Sequence, residues 1–318
     1  MITAIKNFIT KHSLLNSNDT VIVGLSGGPD SVFLLHVLCM LKKQNILNNI
    51  IAAHLDHEWR KDSHEDVLFC KKLCQKYNVQ FISQKISQLD KIFKNKGSKE
   101  ELGRKARRYF FESIAKEYNA DVIALGHHVQ DQQETFFIRM LRGATLTGLC
   151  GIKPKDKLYI RPLLQTNKKN IINFLDQNNI TYLVDESNSS DIFLRNRIRT
   201  KLIPAIKACD TRFDKKFNDS LNSLQKTESF LTDLTRKTFL NIYKNNKINK
   251  EELLKLHPVL LYRVLSFWFI YEQVYLPLSK GFLKEIIKFL RQTGNKTHQI
   301  HTSWSLVKKN KYTYIQKK

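Results

Sequence analysis

The sequence predicts an α/β chain: a doubly wound, parallel-sheet N-terminal domain followed by a smaller, mainly helical C-terminal domain. Two observations carry this. Over the first two hundred residues, short continuous apolar runs alternate with helix-period segments. A strand apolar on both faces belongs in a parallel sheet covered by helices on each side. Near 209–215 the strand signals stop and long polar helical patterns take over. The 318 residues suit two domains of roughly 150 each, and the expected division is 1–212 and 213–318.

Residues 1–15 have an amphipathic helical pattern with Lys6 and Lys11 inside it, and lack the features of a signal peptide. Val21, Ile22 and Val23 open the first strand, 21–25, and a helix pattern follows at 32–41. A second strand is expected at 50–55, a helix at 62–77 and a strand at 79–82. The basic stretch 91–99 reads as an exposed loop before a long helix at about 98–118. A strand at 122–126 and a helix at 130–142 complete the repeated β–α pattern. Two more helices, 167–178 and 195–208, are joined through 181–184. Beyond the division, helices are expected at about 212–246, 250–256, 258–273 and 279–291, and 297–316 alternates enough for short strands. The most apolar stretch, 259–271, contains Arg263 and is too short to span a bilayer, so it reads as a buried helix.

Lys and Arg number 53 against 29 Asp and Glu, a net charge of +24. A chain this basic points to nucleic acid or an anionic surface; a Lys-, Asn- and Ile-rich codon bias is the rival source. Residues 210–318 carry 21 basic against 9 acidic side chains, nearly twice the net charge per residue of the preceding part. The five cysteines are irregularly spaced with no CxxC, which disfavours disulfides and cysteine-based zinc sites and favours a reducing cytoplasm.

Ligands of parallel sheets sit beyond the carboxyl ends of the strands. After the first strand comes Ser26-Gly27-Gly28-Pro29-Asp30-Ser31, then a helix. Adjacent glycines and a helix N-terminus form a phosphate cradle, though an ordinary turn capped by Asp30 or Ser31 uses the same residues. It is neither GxGxxG nor a Walker loop. The second strand ends in His54-Leu55-Asp56-His57-Glu58-Trp59-Arg60, with His54 and Asp56 on one face. Asp56 suits Mg²⁺ or base chemistry, or a capped turn. The fourth strand leads into Gly126-His127-His128-Val129-Gln130-Asp131, with Asp131 and Glu134 aligned on the helix start. These acids suit a divalent metal or capping, and the paired histidines admit a zinc alternative. Arg104, Arg107 and Arg108 form a basic stripe on the long helix, and Arg195, Arg197 and Arg199 follow the acids Asp185, Glu186 and Asp191. Those three arginines suit RNA phosphate or pairing with the acids.

Read together, SGGPDS (26–31), HLDHEWR (54–60), ELGRKARRYFF (101–111), ALGHHVQDQQET (124–135) with RMLRGATLTGL (139–149), RPLL (161–164) and DESNSSDIFLRNRIR (185–199) closely resemble the motif set of the tRNA(Ile)-lysidine synthase family, of the N-type ATP pyrophosphatase superfamily. The resemblance covers about residues 18–210. It implies a PP-loop ATPase-type domain and a two-step reaction. ATP adenylates the C2 oxygen of the wobble cytidine of isoleucine tRNA with a CAU anticodon, releasing pyrophosphate. The amine of free L-lysine then displaces AMP.

By this resemblance Ser26, Gly27, Gly28, Pro29, Asp30, Ser31 and Arg107 hold ATP. Asp56, Asp131 and Arg104 are catalytic, Asp56 and Asp131 being also the Mg²⁺ candidates. Arg195, Arg197 and Arg199 meet tRNA. The basic second domain is expected to contact the tRNA body. Gln130 stands where the family often has a first acid. Relatives suggest a homodimer, and a further C-terminal domain of longer members has no counterpart here. The rivals are a tRNA thiolase of the same superfamily and a non-catalytic RNA-binding protein. Cys70 and Cys74, on a helix expected to lie away from the strand ends, suit the first poorly. The second has no need of SGGPDS beside acidic strand ends.

Overall fold

Val21, Ile22 and Val23 are completely buried on the first strand because it runs through the middle of a sheet covered on both faces. The computed structural model describes residues 1–60, 62–89, 99–184, 193–274 and 276–317, in two compact units, Met1–Asn218 and Asp219–Lys318. The first unit runs α1 (Ile2–Lys11), β1 (Thr20–Gly24), α2 (Pro29–Lys43), β2 (Asn49–Asp56), α3 (Ser63–Tyr77), β3 (Gln80–Lys85), α4 (Lys99–Glu117), β4 (Val122–Ala124), α5 (Val129–Leu141), α6 (Leu146–Leu149), β5 (Lys155–Asp156), β6 (Tyr159–Ile160), α7 (Lys168–Gln177), α8 (Leu194–Arg197) and α9 (Ile203–Cys209). A π turn, Ile198–Leu202, links α8 to α9, and α10 (Phe213–Ile242) begins before the division between units.

The strand order is β3-β2-β1-β4-β6-β5, parallel except for the edge strand β5. The chain winds outward from β1 through β2 to β3, then crosses back to β4. The switch therefore falls between β1 and β4, where such sheets open a crevice at their carboxyl ends. Alternate residues feed two cores. Val21, Val23, Ile50, Ala52, Val122 and Ala124 join a cluster with residues of α1, α2, α3 and α7. Ile22, Ile51, Ala53 and Ile123 pack with Phe110, Phe111 and Ile114 of α4 on the other face. The sequence did not foretell the short hairpin β5–β6. Residues 181–184 form no strand, but the Leu183 N–H donates to the Gly27 carbonyl at 2.9 Å. The basic insert 91–98 and the segment 185–192 lie outside the described residues.

The second unit corrects the mainly helical expectation. Besides α10 it contains β7 (Tyr243–Lys244), β8 (Lys247–Asn249), α11 (Lys250–Leu254), α12 (Pro258–Tyr271), α13 (Lys280–Arg291), β9 (Lys296–His301), β10 (Trp304–Lys309) and β11 (Tyr312–Lys317). The strands form an antiparallel sheet in the order β7-β8-β11-β10-β9. The overlooked signal was the Asn pair in the first hairpin. Asn245 and Asn246 both take positive φ, 48° and 59°, as a two-residue primed turn requires. Trp268, Phe269, Ile286 and Leu290 of the helices close over Ile248 and Leu306 of the sheet. Lys308, almost completely buried, donates from Nζ to the carbonyls of Phe289 (3.1 Å) and Gln292, capping the last turn of α13. No described helix is long and apolar enough to cross a membrane.

Candidate active site

The loop after β1 is shaped by its small residues. Gly27 has φ +83°, and a Cβ there would lie 2.6 Å from the Leu183 side chain. Gly126, at the end of β4, is equally constrained: its Cβ would come within 3.0 Å of the Asp30 backbone. Glycine at these points lets the β4 end press against the start of α2. Ser31 Oγ donates to the Gly28 carbonyl at 2.9 Å, accepts from the Ser26 N–H at 3.2 Å and contacts Ser26 Oγ at 3.2 Å. The two hydroxyls thus pin the loop with the first-turn N–H groups of α2 directed outward. Gly27→Ala is expected to cost about 1–2 kcal/mol, because alanine is strained in the left-handed region, and to weaken ATP binding. Thermal melting and a fluorescent-ATP titration check both.

Across the crevice, His128 lies between two carboxylates. Its Nε2 is 3.4 Å from Asp30 Oδ2 and 3.5 Å from Asp131 Oδ2. Lys168, from α7, brings Nζ to 3.2 Å of the same Asp30 oxygen. Burial alone would lower the His128 pKa, but Asp30 and Asp131 outweigh it and raise it above the ordinary value. Burial would likewise raise Asp30 and Asp131; the neighbouring cations instead hold both below the usual carboxylate range. His127 behaves oppositely: burial dominates and brings it down to about 4 despite Asp131.

A raised histidine stabilises the fold fully below its unfolded pKa, and that contribution is lost as pH rises through the folded pKa. The melting-temperature advantage of the wild type over His128→Gln should therefore be largest below about pH 6.5 and shrink on going alkaline. A flat difference from pH 5.5 to 9 would contradict this.

At the end of β2, Asp56 is buried and its Oδ1 accepts from the Glu58 N–H at 2.9 Å. His54 shares its face of the strand, as expected, and its Nδ1–H donates to the Leu25 carbonyl at 2.8 Å. Arg107 reaches from α4 to donate to His57 Nε2 at 2.9 Å. Burial, with Arg107 and His54 beside it, lowers His57 to about 4, and its ring stacks on Trp59 at 4.6 Å. Arg104 is exposed one turn earlier on α4. Arg108 leaves the stripe: it pairs with Glu112 at 2.8 Å and lies over the Tyr159 ring.

The arginines after Phe193 are turned inward. Arg195 donates to Asp131 Oδ1 at 2.6 Å and to Glu134 Oε2 at 2.5 Å, and Arg199 donates to Glu134 Oε1 at 2.6 Å. The π turn puts Arg199 beside the same carboxylate as Arg195. Arg197 is exposed. The acids Asp185, Glu186 and Asp191, expected as alternative partners, lie outside the described residues.

Sequence reasoning missed Lys168. It follows Asn167, whose side chain caps α7, and its backbone N–H donates to Gln130 Oε1 at 3.0 Å. The departure at Gln130 thus has a local use: its amide caps α7 rather than facing a cation. Sequence reasoning also misplaced Cys70. Its Sγ lies 3.6 Å from His54 Nδ1, beneath the strand ends, yet it is completely buried and burial raises its pKa. Cys74 is buried too and pushed up to about 12. Neither is a ready thiolate.

For a divalent cation, Asp30 Oδ1 fits best: it is buried with no hydrogen-bond partner. Both oxygens of Asp131 are already engaged, by Arg195 and by the His128 N–H. Among the described residues no three His, Cys, Asp or Glu side chains gather as a metal site, so the zinc alternative gains no support.

Residues 1–206 match the family described as the PP-loop domain. The chain is 31% identical to a tRNA(Ile)-lysidine synthase of Persephonella marina over 97% of its length and 68% of the relative's. It is 33% identical to that of Bacillus subtilis, covering 92% and 64%, and 40% identical to that of Clostridium tetani, covering 65% and 44%. It thus spans between about half and two thirds of these relatives. A tRNA thiolase of Methanococcus maripaludis with a 4Fe-4S cluster has the same fold, with a TM-score of 0.58 at 20% identity over 71% of this chain and 80% of that one. With its phosphate loop at the β1–β4 switch and these matches along its length, the chain belongs to the PP-loop family and, within it, to the tRNA(Ile)-lysidine synthases.

Proposed function

We propose that this chain joins free L-lysine to C2 of the wobble cytidine of isoleucine tRNA with a CAU anticodon, through an adenylated tRNA, releasing pyrophosphate and AMP. The observation that carries the reading is the loop 26–31 at the β1–β4 switch, with Asp30, His128, Asp131 and Lys168 gathered around it. Attack of the cytidine oxygen on the α-phosphate makes pyrophosphate the leaving group. Negative charge grows on that group, and donors fixed before the reaction stabilise it best. The N–H groups at the start of α2 and the Ser26 hydroxyl are such donors, Ser31 holding the loop through its bond to the Gly28 carbonyl, and Lys168 adds a positive charge beside them.

Asp30 and Asp56 would hold Mg²⁺, which when bound neutralises phosphate charge. Arg104 and Arg107, on α4, are our candidates for the ATP phosphates or the adenylated intermediate. Only neutral lysine amine attacks, and a carboxylate beside it can take its proton; Asp56 is the candidate. Asp131, paired with Arg195, orients that side of the crevice. Arg197 and the basic second unit would meet tRNA, in a cytoplasmic homodimer. Such binding weakens steeply with salt.

With α-labelled ATP and isoleucine tRNA but no lysine, label should enter the RNA, and unlabelled lysine should then chase it out as AMP. Label on lysine itself, or none on RNA, would reject the order of steps.

A further inference from the structure

The five-stranded sheet of the second unit has two unlike faces. Ile248, Leu306, Lys308, Thr313 and Ile315 point to the helices and are buried or packed in the core. The alternate residues point away from every helix in that core. Across the registered pairs, this second face carries Tyr312 beside Lys309 and Asn249, Tyr314 beside Val307, and Gln316 beside Ser305. Tyr312 is 39% exposed, Tyr314 is half-buried and Lys247, Lys309, Gln299 and Gln316 are exposed. Lysine heads lie over both rings: Lys247 Nζ is 5.6 Å from the Tyr314 centroid and Lys311 Nζ 5.5 Å from that of Tyr312. The strands β7–β11 contain six lysines and neither Asp nor Glu.

A sheet face open along its β8 and β11 strands, with two aromatic rings two residues apart on β11, is a stacking surface for flat groups. The cations around it, with no carboxylate from any strand, demand an anionic partner. Unpaired RNA supplies both at the spacing of its nucleotides. Paired RNA hides its base faces, and a second copy of this face would set lysine against lysine. We propose that this face binds an unpaired stretch of RNA, its bases stacking on Tyr312 and Tyr314 and its phosphates drawing Lys247, Lys309 and Lys311 off the rings. The inference rests on the tRNA reading above only in taking the unpaired ends or loops of tRNA as the natural source.

The test uses the full chain, a fluorescent unpaired oligoribonucleotide of twelve residues and a blunt RNA duplex of equal length. The wild type should prefer the unpaired strand. Tyr312→Leu/Tyr314→Leu, checked for unchanged melting, should weaken that binding about ten- to a hundredfold and abolish the preference. Lys247→Gln, which keeps both rings, should lower the salt slope of binding by about one. A wild type without preference, or a double variant that retains it, overturns the proposal. So does a dimer lost in the leucine variant with RNA affinity intact, which would assign the face to a second copy. Oligonucleotide affinity is read without ATP or lysine, so it stands or falls apart from the ligase reading.

Discussion

Asp56→Ala is expected to lower lysine-dependent turnover by about 10²–10⁴-fold while tRNA affinity holds. The residue is buried at the carboxyl end of β2, next to β1 and its phosphate loop, and its Oδ1 accepts from the Glu58 N–H of its own turn. Little of the fold depends on that bond, since β2 is held by ladders to both β1 and β3. The loss should therefore appear in the chemical step, with the melting temperature moving by only a few degrees. Single-turnover kinetics and a filter-binding titration separate the two. Unimpaired turnover would remove Asp56 from the mechanism.

Glu134→Ala should instead destabilise the first unit. Glu134 is 0% exposed and its two oxygens hold Arg195 and Arg199, tying the π turn to α5. Both arginines keep about a third of their side chains in solvent, which softens the penalty. Removing the carboxylate from such a half-buried cluster should cost about 2–4 kcal/mol. At roughly 2–4 °C per kcal/mol for a unit this size, the melting temperature falls by roughly 5–15 °C. Glu134→Gln, which keeps the shape and part of the bonding, should lie between. A melting temperature unchanged in both variants would mean that the cluster adds no stability. Scanning calorimetry of the three proteins decides.

The parallel sheet was legible because its central strands β1, β2 and β4 are apolar on both faces and end in polar clusters at the same edge of the sheet. The phosphate loop, the β2 end and the start of α5 were legible for the same reason. Lys168 was not, because it sits in the run Thr166-Asn167-Lys168-Lys169-Asn170, where nothing local marks one lysine from the next. Its place is set by the cap that its neighbour Asn167 makes on α7 and by Gln130, from another part of the chain. The inward turn of Arg195 and Arg199 was half legible: pairing with acids was one of the two readings, but Glu134 lies about sixty residues away. Of the second sheet, the alternation of 297–316 announced β9, β10 and β11, whereas β7 and β8 were hidden because strands of two and three residues are too short to show a period. The cysteine helix shows the opposite error. A helix placed correctly in the sequence still put Cys70 under the strand ends, because distance along the chain says little about distance across a crossover.

The most direct measurement is lysine incorporation: purified chain, ATP, Mg²⁺, radiolabelled L-lysine and isoleucine tRNA with a CAU anticodon. Label should enter the RNA only when ATP is present, and changing the wobble cytidine should abolish it. Absence of label with every tRNA offered, or equal label after that change, would contradict the ligase.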